Sequence, residues 1–262
     1  MKIARFSNEG GIAFGIVDDD ELVVLEKDPM FAGFGTTGER VALGSVKLLA
    51  PVIPRSKVVA FGSDFFANAD EQAAADAEAV PAEPRFVIKP NTSVVGPGEA
   101  IVLPEQSEQV VVAGALAIII GTFAKNVAVD DVESVIFGYT IAADVTAQDL
   151  VEIDGHAARA SAFDSFCPLG PVIETEFDVD TVVVHGRIND ASFQSGDTEL
   201  QMHSIAEIVS FASSVFTLLP GDVILCGSPG LTGEVGGALS HGDTVQIEIP
   251  GLGVLTNPVR RA

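Results

Sequence analysis

The side chains able to act as ligands or nucleophiles are few in this chain, and they are scattered. Its four histidines fall in four separate segments. His156 sits in a Gly-flanked loop (DGHAARAS), His185 in a strand, His203 at the start of a helix and His241 in a turn, so no metal cluster is expected and each reads as structural or solvated. Cys167 and Cys226 lie in apolar segments without a C-x-x-C pair, which argues against a redox pair, a zinc site or a nucleophilic thiol. The Gly-rich run GSPGLTGEVGG (227–237) lacks the Gly-Lys-Ser/Thr ending of a phosphate loop and opens no helix, so it reads as a mobile loop.

The segment with the strongest local signal is VVVAGALAIIIG, residues 110–121, in which no side chain is charged or hydrogen-bonding. A β-branched apolar run of this length, bounded by turn residues, predicts a strand buried on both faces. Ala113 and Ala115 are two apart and point to the same side. Carboxylates at that spacing could share one divalent cation, but methyl groups cannot hold a metal.

The surrounding elements follow from punctuation and period. KIARFS, GIAFGIVD and ELVVLE are short strands in an N-terminal unit (1–55), which Pro51, Pro54 and Arg55 separate from a larger core (56–262). Residues 66–79 are rich in Ala and acids and predict a helix. FVIKP, SVVGPGEAIVLP, FGYTIAADVT, PVIE, TVVVHGRIN, DVILCGS, TVQIEI and GVLTNPV read as strands. Helices are expected at 130–135 and 204–218, the second with apolar residues at helical spacing. The fold class is α+β and β-rich, with a mixed sheet sandwich or roll as its core.

Composition restricts the partners. Fourteen Lys and Arg against 37 Asp and Glu give a net charge of −23, which disfavours nucleic acid and anionic membrane surfaces. No apolar run is long enough to cross a membrane, and the charged, alternating start reads as a strand rather than a secretory leader. With two unpatterned cysteines the expected location is the cytoplasm.

Five segments together carry a resemblance: FVIKPNTSVVGPGEAIVLP (86–104), GYTIAADVTAQDL (138–150), SAFDSFCPLGPVI (161–173), LLPGDVILCGSPGLTG (218–233) and IEIPGLGVLTNPV (247–259). Their order and spacing resemble the fumarylacetoacetate hydrolase family of C–C hydrolases, enol–keto isomerases and 2-oxo acid decarboxylases. The resemblance covers about residues 56–262. It implies a mixed β-sandwich roll with a small N-terminal domain, frequent homodimers, and one Mg²⁺ or Mn²⁺ held by three carboxylates. In such a site the metal grips a 2-oxo acid or 1,3-dicarbonyl, and a His–Glu pair activates water.

Carried over residue by residue, the resemblance matches Asp144 to the third metal carboxylate, Lys89 to a lysine near the site and Glu71 to the acid of the His–Glu pair. Asp164, Thr198 and Ser228 also fit. The departures are heavier: Ala113-Gly114-Ala115 stands where the family has Glu-x-Glu, Asn68 replaces the histidine of the pair and Asp64 the Asn of its GxNY pattern. Ala143, Gln148 and Ser161 replace an Asn, an Arg and a Lys. Asp144 is then a remnant of a metal site, and no cofactor is expected. Lys89 can either pair with Asp144, Glu71 or Asp64, or meet a ligand. The expected function is a family member without metal chemistry, acting as a pseudoenzyme or a binder of small 2-oxo or dicarboxylic acids. In the binder, Lys89 would be the cation, with Asp64, Glu71, Asp144, Gln148, Ser161, Asp164, Thr198 and Ser228 around it. The alternatives are an active hydrolase, isomerase or decarboxylase of such acids, and a structural protein with no site. A homodimer is the expected assembly.

Overall fold

The computed structural model describes all residues except 63, 67–68, 76–79 and 232–235. Five strands form the N-terminal segment: β1 (Lys2–Asn8), β2 (Gly11–Asp18), β3 (Glu21–Leu25), β4 (Thr36–Ala42) and β5 (Lys47–Leu48). Then come β6 (Val58–Phe61), β7 (Phe86–Lys89), β8 (Val94–Val95), β9 (Ile101–Leu103), β10 (Val110–Ile120), β11 (Ile136–Ala147) and β12 (Cys167–Glu174). The last six are β13 (Val183–Ile188), β14 (Ala191–Asp197), β15 (Val223–Leu225), β16 (Gly237–Ala238), β17 (Thr244–Ile249) and β18 (Gly253–Arg261). Among the described residues four α-helices accompany them: α1 (Pro29–Ala32), α2 (Ala69–Ala74), α3 (Gln148–Asp154) and α4 (Ile205–Val215).

The larger sheet runs β4-β3-β2-β1-β12-β11-β10-β15-β6-β7, and the smaller runs β14-β13-β17-β18-β9. Parallel pairs (β15 with β6, β12 with β8, β18 with β9) make both sheets mixed. The fold is the strand-rich α+β roll the sequence predicts. The N-terminal strands join the larger sheet through β1, which pairs with β12 at Ile3 and Ile173.

β10 is buried along its length, with Ala113 the one partly exposed position. Its alternation sorts two apolar layers. Val112, Leu116, Ile118 and Ile120 pack toward Val184, Ile247 and Leu255 of the smaller sheet, while Ala115, Ala117 and Ile119 pack with Ala60, Ala142, Cys167 and Leu225 on the other face. Gly114 permits the sheets to meet closely, since a Cβ there would stand 2.6 Å from Ile247 Cγ2.

Some expectations need correction. The predicted helix at 66–79 is helical over Ala69–Ala74, and parts of it, with Asn68, lie outside the described residues, as does the 232–235 part of the Gly-rich loop. The stretch at 130–135 is a 3-10 turn rather than an α-helix. Strand β14 and helix α3 are additions. β14 follows β13 through a two-residue turn, Asn189-Asp190, with Asn189 at φ 55°, a hairpin signal masked by the polar composition of ASFQSGD. α4 is set at its start by a capping box in which the Ser204 and Glu207 side chains each bond the other's backbone N–H.

Candidate functional site

The β10–β11 register places Ala113 directly opposite Asp144, and Ala115 opposite Ala142. Three of these four residues are alanines. Ala115 has no exposure at all, whereas Asp144 keeps 21% of its side chain open. At this end of the strand pair the backbone of Gly236 comes close: a Cβ there would stand 3.7 Å from the Ala113 Cβ. Strand β16, which follows, pairs with Val111 and Val112.

Lys89 enters from β7, opposite Val58, and is fully buried. Its Nζ donates to the carbonyl oxygens of Val145 (2.8 Å), Ser161 (3.3 Å) and Phe166 (3.2 Å). Asp144 Oδ1 lies 2.7 Å from the same Nζ, so the ammonium is ion-paired with Asp144 as well as surrounded by carbonyl oxygens. Of the partners open to Lys89, the structure shows Asp144, and the carbonyl contacts tie β11 to residues 161–166.

Asp64, which follows β6, is 3% exposed, and its Oδ1 lies 2.5 Å from His203 Nδ1. His203 Nε2 is 2.8 Å from the Pro81 carbonyl oxygen. A carbonyl can only accept, so Nε2 carries a hydrogen, and one further proton lies between Nδ1 and Asp64. Burial pushes the Asp64 carboxyl up against the opposing pull of His203. Burial also lowers His203, but the Asp64 contacts and the Pro81 carbonyl outweigh it and the net direction is up. Asp64 Oδ2 is buried and among the described residues meets no hydrogen-bond donor within bonding geometry, though the Gln201 side chain also pulls the carboxyl down. Sequence reading missed this pair because its members are 139 residues apart and His203 resembles a helix-start residue.

A second missed residue is Gln194 of β14, fully buried between the sheets. Its Oε1 accepts from Gly114 N (2.7 Å), and its Nε2 donates to the carbonyls of Gly114 (2.9 Å) and Pro229 (2.8 Å). The amide thereby fixes the Ser228–Pro229 segment beside β10. Ser228 is half-buried, as is Gln148 at the start of α3, and among the described residues neither side chain makes a hydrogen bond.

The remaining candidates are dispersed. The Thr198 hydroxyl accepts from Val182 N at 3.0 Å and braces the start of β13. Asp164 is exposed, and among the described residues nothing joins it to Asp144 or Lys89. Glu71 is exposed on α2, which Gln72 fastens to the Glu199 carbonyl at 2.9 Å. Ser161 is buried, its carbonyl serving Lys89. Burial raises both thiols, Cys167 to about 12, so neither is a nucleophile at neutral pH. His156, His185 and His241 hold local contacts with Ala158 N, Ser195 and Arg261 N.

The segments that build this region match a family model, fumarylacetoacetate (FAA) hydrolase C-terminal, over residues 57–260. The chain belongs to the fumarylacetoacetate hydrolase family. A further model, Rv2993c-like, N-terminal, matches residues 1–51. Over its full length the chain is 38% identical to Protein Rv2993c of Mycobacterium tuberculosis, covering 98% of that protein. It is 32% identical to the mitochondrial oxaloacetate tautomerase Fahd2a of Rattus norvegicus, covering 96% of this chain and 86% of the relative. The solved structure of 5-carboxymethyl-2-hydroxymuconate delta-isomerase from Mycobacterium smegmatis superposes with a TM-score of 0.90 at 38% identity, with both chains covered completely.

The fumarylacetoacetate hydrolase resemblance assigns three carboxylates to a divalent metal, and the positions here hold Ala113, Ala115 and Asp144. This donor set does not fit Mg²⁺ or Mn²⁺. Of these three positions one holds a carboxylate, it is paired with Lys89, and among the described residues no three His, Cys, Asp or Glu gather.

Proposed function

We propose that this chain keeps the family fold but not the metal-dependent chemistry, and that it serves as a pseudoenzyme or a low-affinity binder of small 2-oxo or dicarboxylic acids. The observation that carries this reading is the pairing of Ala113 with Asp144 where the resemblance calls for a cluster of carboxylates. Among the described residues an enolate beside Asp144 would meet no free ammonium, because Lys89 is held by Asp144 and three carbonyls. Gln148 and Ser228 are half-buried and make no side-chain hydrogen bond among the described residues, which supports weak affinity at most. Two buried, unpaired thiols support a reducing compartment, and the reading places the chain in the cytoplasm as a homodimer.

One observation favours a second reading, a metal-free tautomerase. Tautomerisation moves one proton from carbon to oxygen and needs an acid–base group rather than a Lewis acid. Asp64 and His203 share a proton, and among the described residues Asp64 Oδ2 meets no hydrogen-bond donor within bonding geometry. In this reading Asp64 takes the C3 proton of a 2-oxo diacid and the same carboxyl returns it to the C2 oxygen, giving the enol with atoms and charge balanced. The similarity to an oxaloacetate tautomerase supports the substrate class.

The experiment follows the keto–enol interconversion of oxaloacetate and the cleavage of acylpyruvates, with and without Mg²⁺, for the wild type and Asp64→Asn. The first reading expects background rates throughout. Metal-independent tautomerisation lost in Asp64→Asn would replace it with the second reading. Turnover at ordinary enzyme rates that requires Mg²⁺ would overturn both.

A further inference from the structure

A cavity of about 350 Å³ lies well away from the β10–β11 site, where the N-terminal strands meet the larger sheet. Its walls include Ile3 of β1, Ile12 and Phe14 of β2, Phe31 of α1 and Ile53. Phe137, at the opposite end of β11 from Asp144, also lines it, about 20 Å along the strand at ~3.3 Å per residue. The volume falls at the lower end of the range typical of small-molecule sites.

Three charged side chains reach this space: Arg5, Arg55 and Asp28. Asp28 caps α1, its Oδ1 accepting from Met30 N at 3.0 Å, and its charge, like that of Glu99, acts on Arg5. Arg5 donates one hydrogen bond, from Nη1 to the Ala50 carbonyl at 3.3 Å, and among the described residues makes no ion pair. A guanidinium has five N–H donors, so Arg5 retains several beside the cavity. Arg55 is held over the Phe31 ring, 4.2 Å from its centroid, a posture that leaves its donor edge open. Two guanidiniums at one cavity stand out in a chain with 14 cationic residues and a net charge of −23.

The apolar part is open to a ligand. Ile12 is 63% exposed, Ile53 56% and Phe31 50%, and the three surround the cavity.

We propose that this cavity binds a small monocarboxylic acid with an apolar tail. The carboxylate meets Arg5 and Arg55 through charge-assisted hydrogen bonds, and the tail lies on the isoleucine and phenylalanine walls. The site is independent of the function proposed for the β10–β11 site, since it shares no residue with it.

The test is a methyl-carbon NMR titration of the full chain labelled at isoleucine, with hexanoate as probe and hexan-1-ol as the uncharged control. Hexanoate should shift the Ile3, Ile12, Ile53 and Ile173 methyls saturably, with a midpoint below about 1 mM, and hexan-1-ol should bind at least about ten-fold more weakly. Arg55→Gln changes an exposed residue and should weaken hexanoate about five-fold or more without changing the melting temperature. Arg5→Gln should do the same in whatever fraction remains folded. The absence of saturable shifts at about 10 mM hexanoate would overturn the proposal, as would equal binding of the alcohol. Methyl positions that move with protein concentration but not with hexanoate would also overturn it, in favour of a second copy on this face.

Discussion

His203 Nδ1 stands 2.5 Å from Asp64 Oδ1, and the pair fastens the segment after β6 to the start of α4. Both groups are shifted upward in the folded chain, Asp64 from 3.8 and His203 from 6.5. The folded state therefore holds more protons than the unfolded state above those values, and stability falls as pH rises. The His203 contribution is complete below its unfolded value of 6.5 and is lost as pH climbs through the higher folded value. The melting temperature of wild type should exceed that of His203→Gln most at about pH 6, and the gap should narrow toward about pH 8.5. Circular-dichroism melts across that range check it; a gap that widens with pH would contradict the shared proton.

Metal binding should respond unequally to the two alanine positions. Wild type should show no saturable Mn²⁺ binding below about 1 mM by electron paramagnetic resonance. Ala113→Glu, at the partly exposed position facing Asp144, should fold and gain weak binding. Ala115→Glu should lose about 3 kcal/mol of stability or more, because its carboxylate would enter a layer formed by Ala142, Cys167 and Leu225.

Lys89→Met should cost about 3–5 kcal/mol, since it leaves Asp144 and three carbonyls without their cation. Urea unfolding measures the loss. Adding Asp144→Ala to Lys89→Met should recover part of it, because the orphaned carboxylate is removed; a purely additive double variant would show that the ion pair carries no energy.

The homodimer is tested by light scattering at micromolar concentration, which should give twice the 27.2 kDa chain mass. A monomer mass would remove the dimer from the reading.

Much of the fold is legible in the sequence because it rests on local patterns. The apolar run of β10 announces a doubly buried strand, and apolar residues at helical spacing after Ser204 announce a helix. The substitutions at Ala113 and Ala115 are equally plain, as they are read by position. What the sequence does not disclose is which partner a polar side chain finds. Lys89 takes the carbonyls of Val145, Ser161 and Phe166, groups present in every residue and invisible in any pattern. Gln194 reaches Gly114 across 80 residues by the same backbone chemistry. Thr198 is spent on Val182 for a similar reason.

Ala115 has no exposed surface, faces Ala142 across the strand pair and belongs to the buried layer that includes Ala60, Ala117 and Cys167. A carboxylate cannot simply be put back there. The path to a three-carboxylate site would have to start at Ala113, which is partly open, and only then pass through Ala115 after the layer had loosened. Packing therefore makes the substitution a ratchet: the order of steps by which a lineage could recover the site is set by the volumes of residues that never touch a substrate.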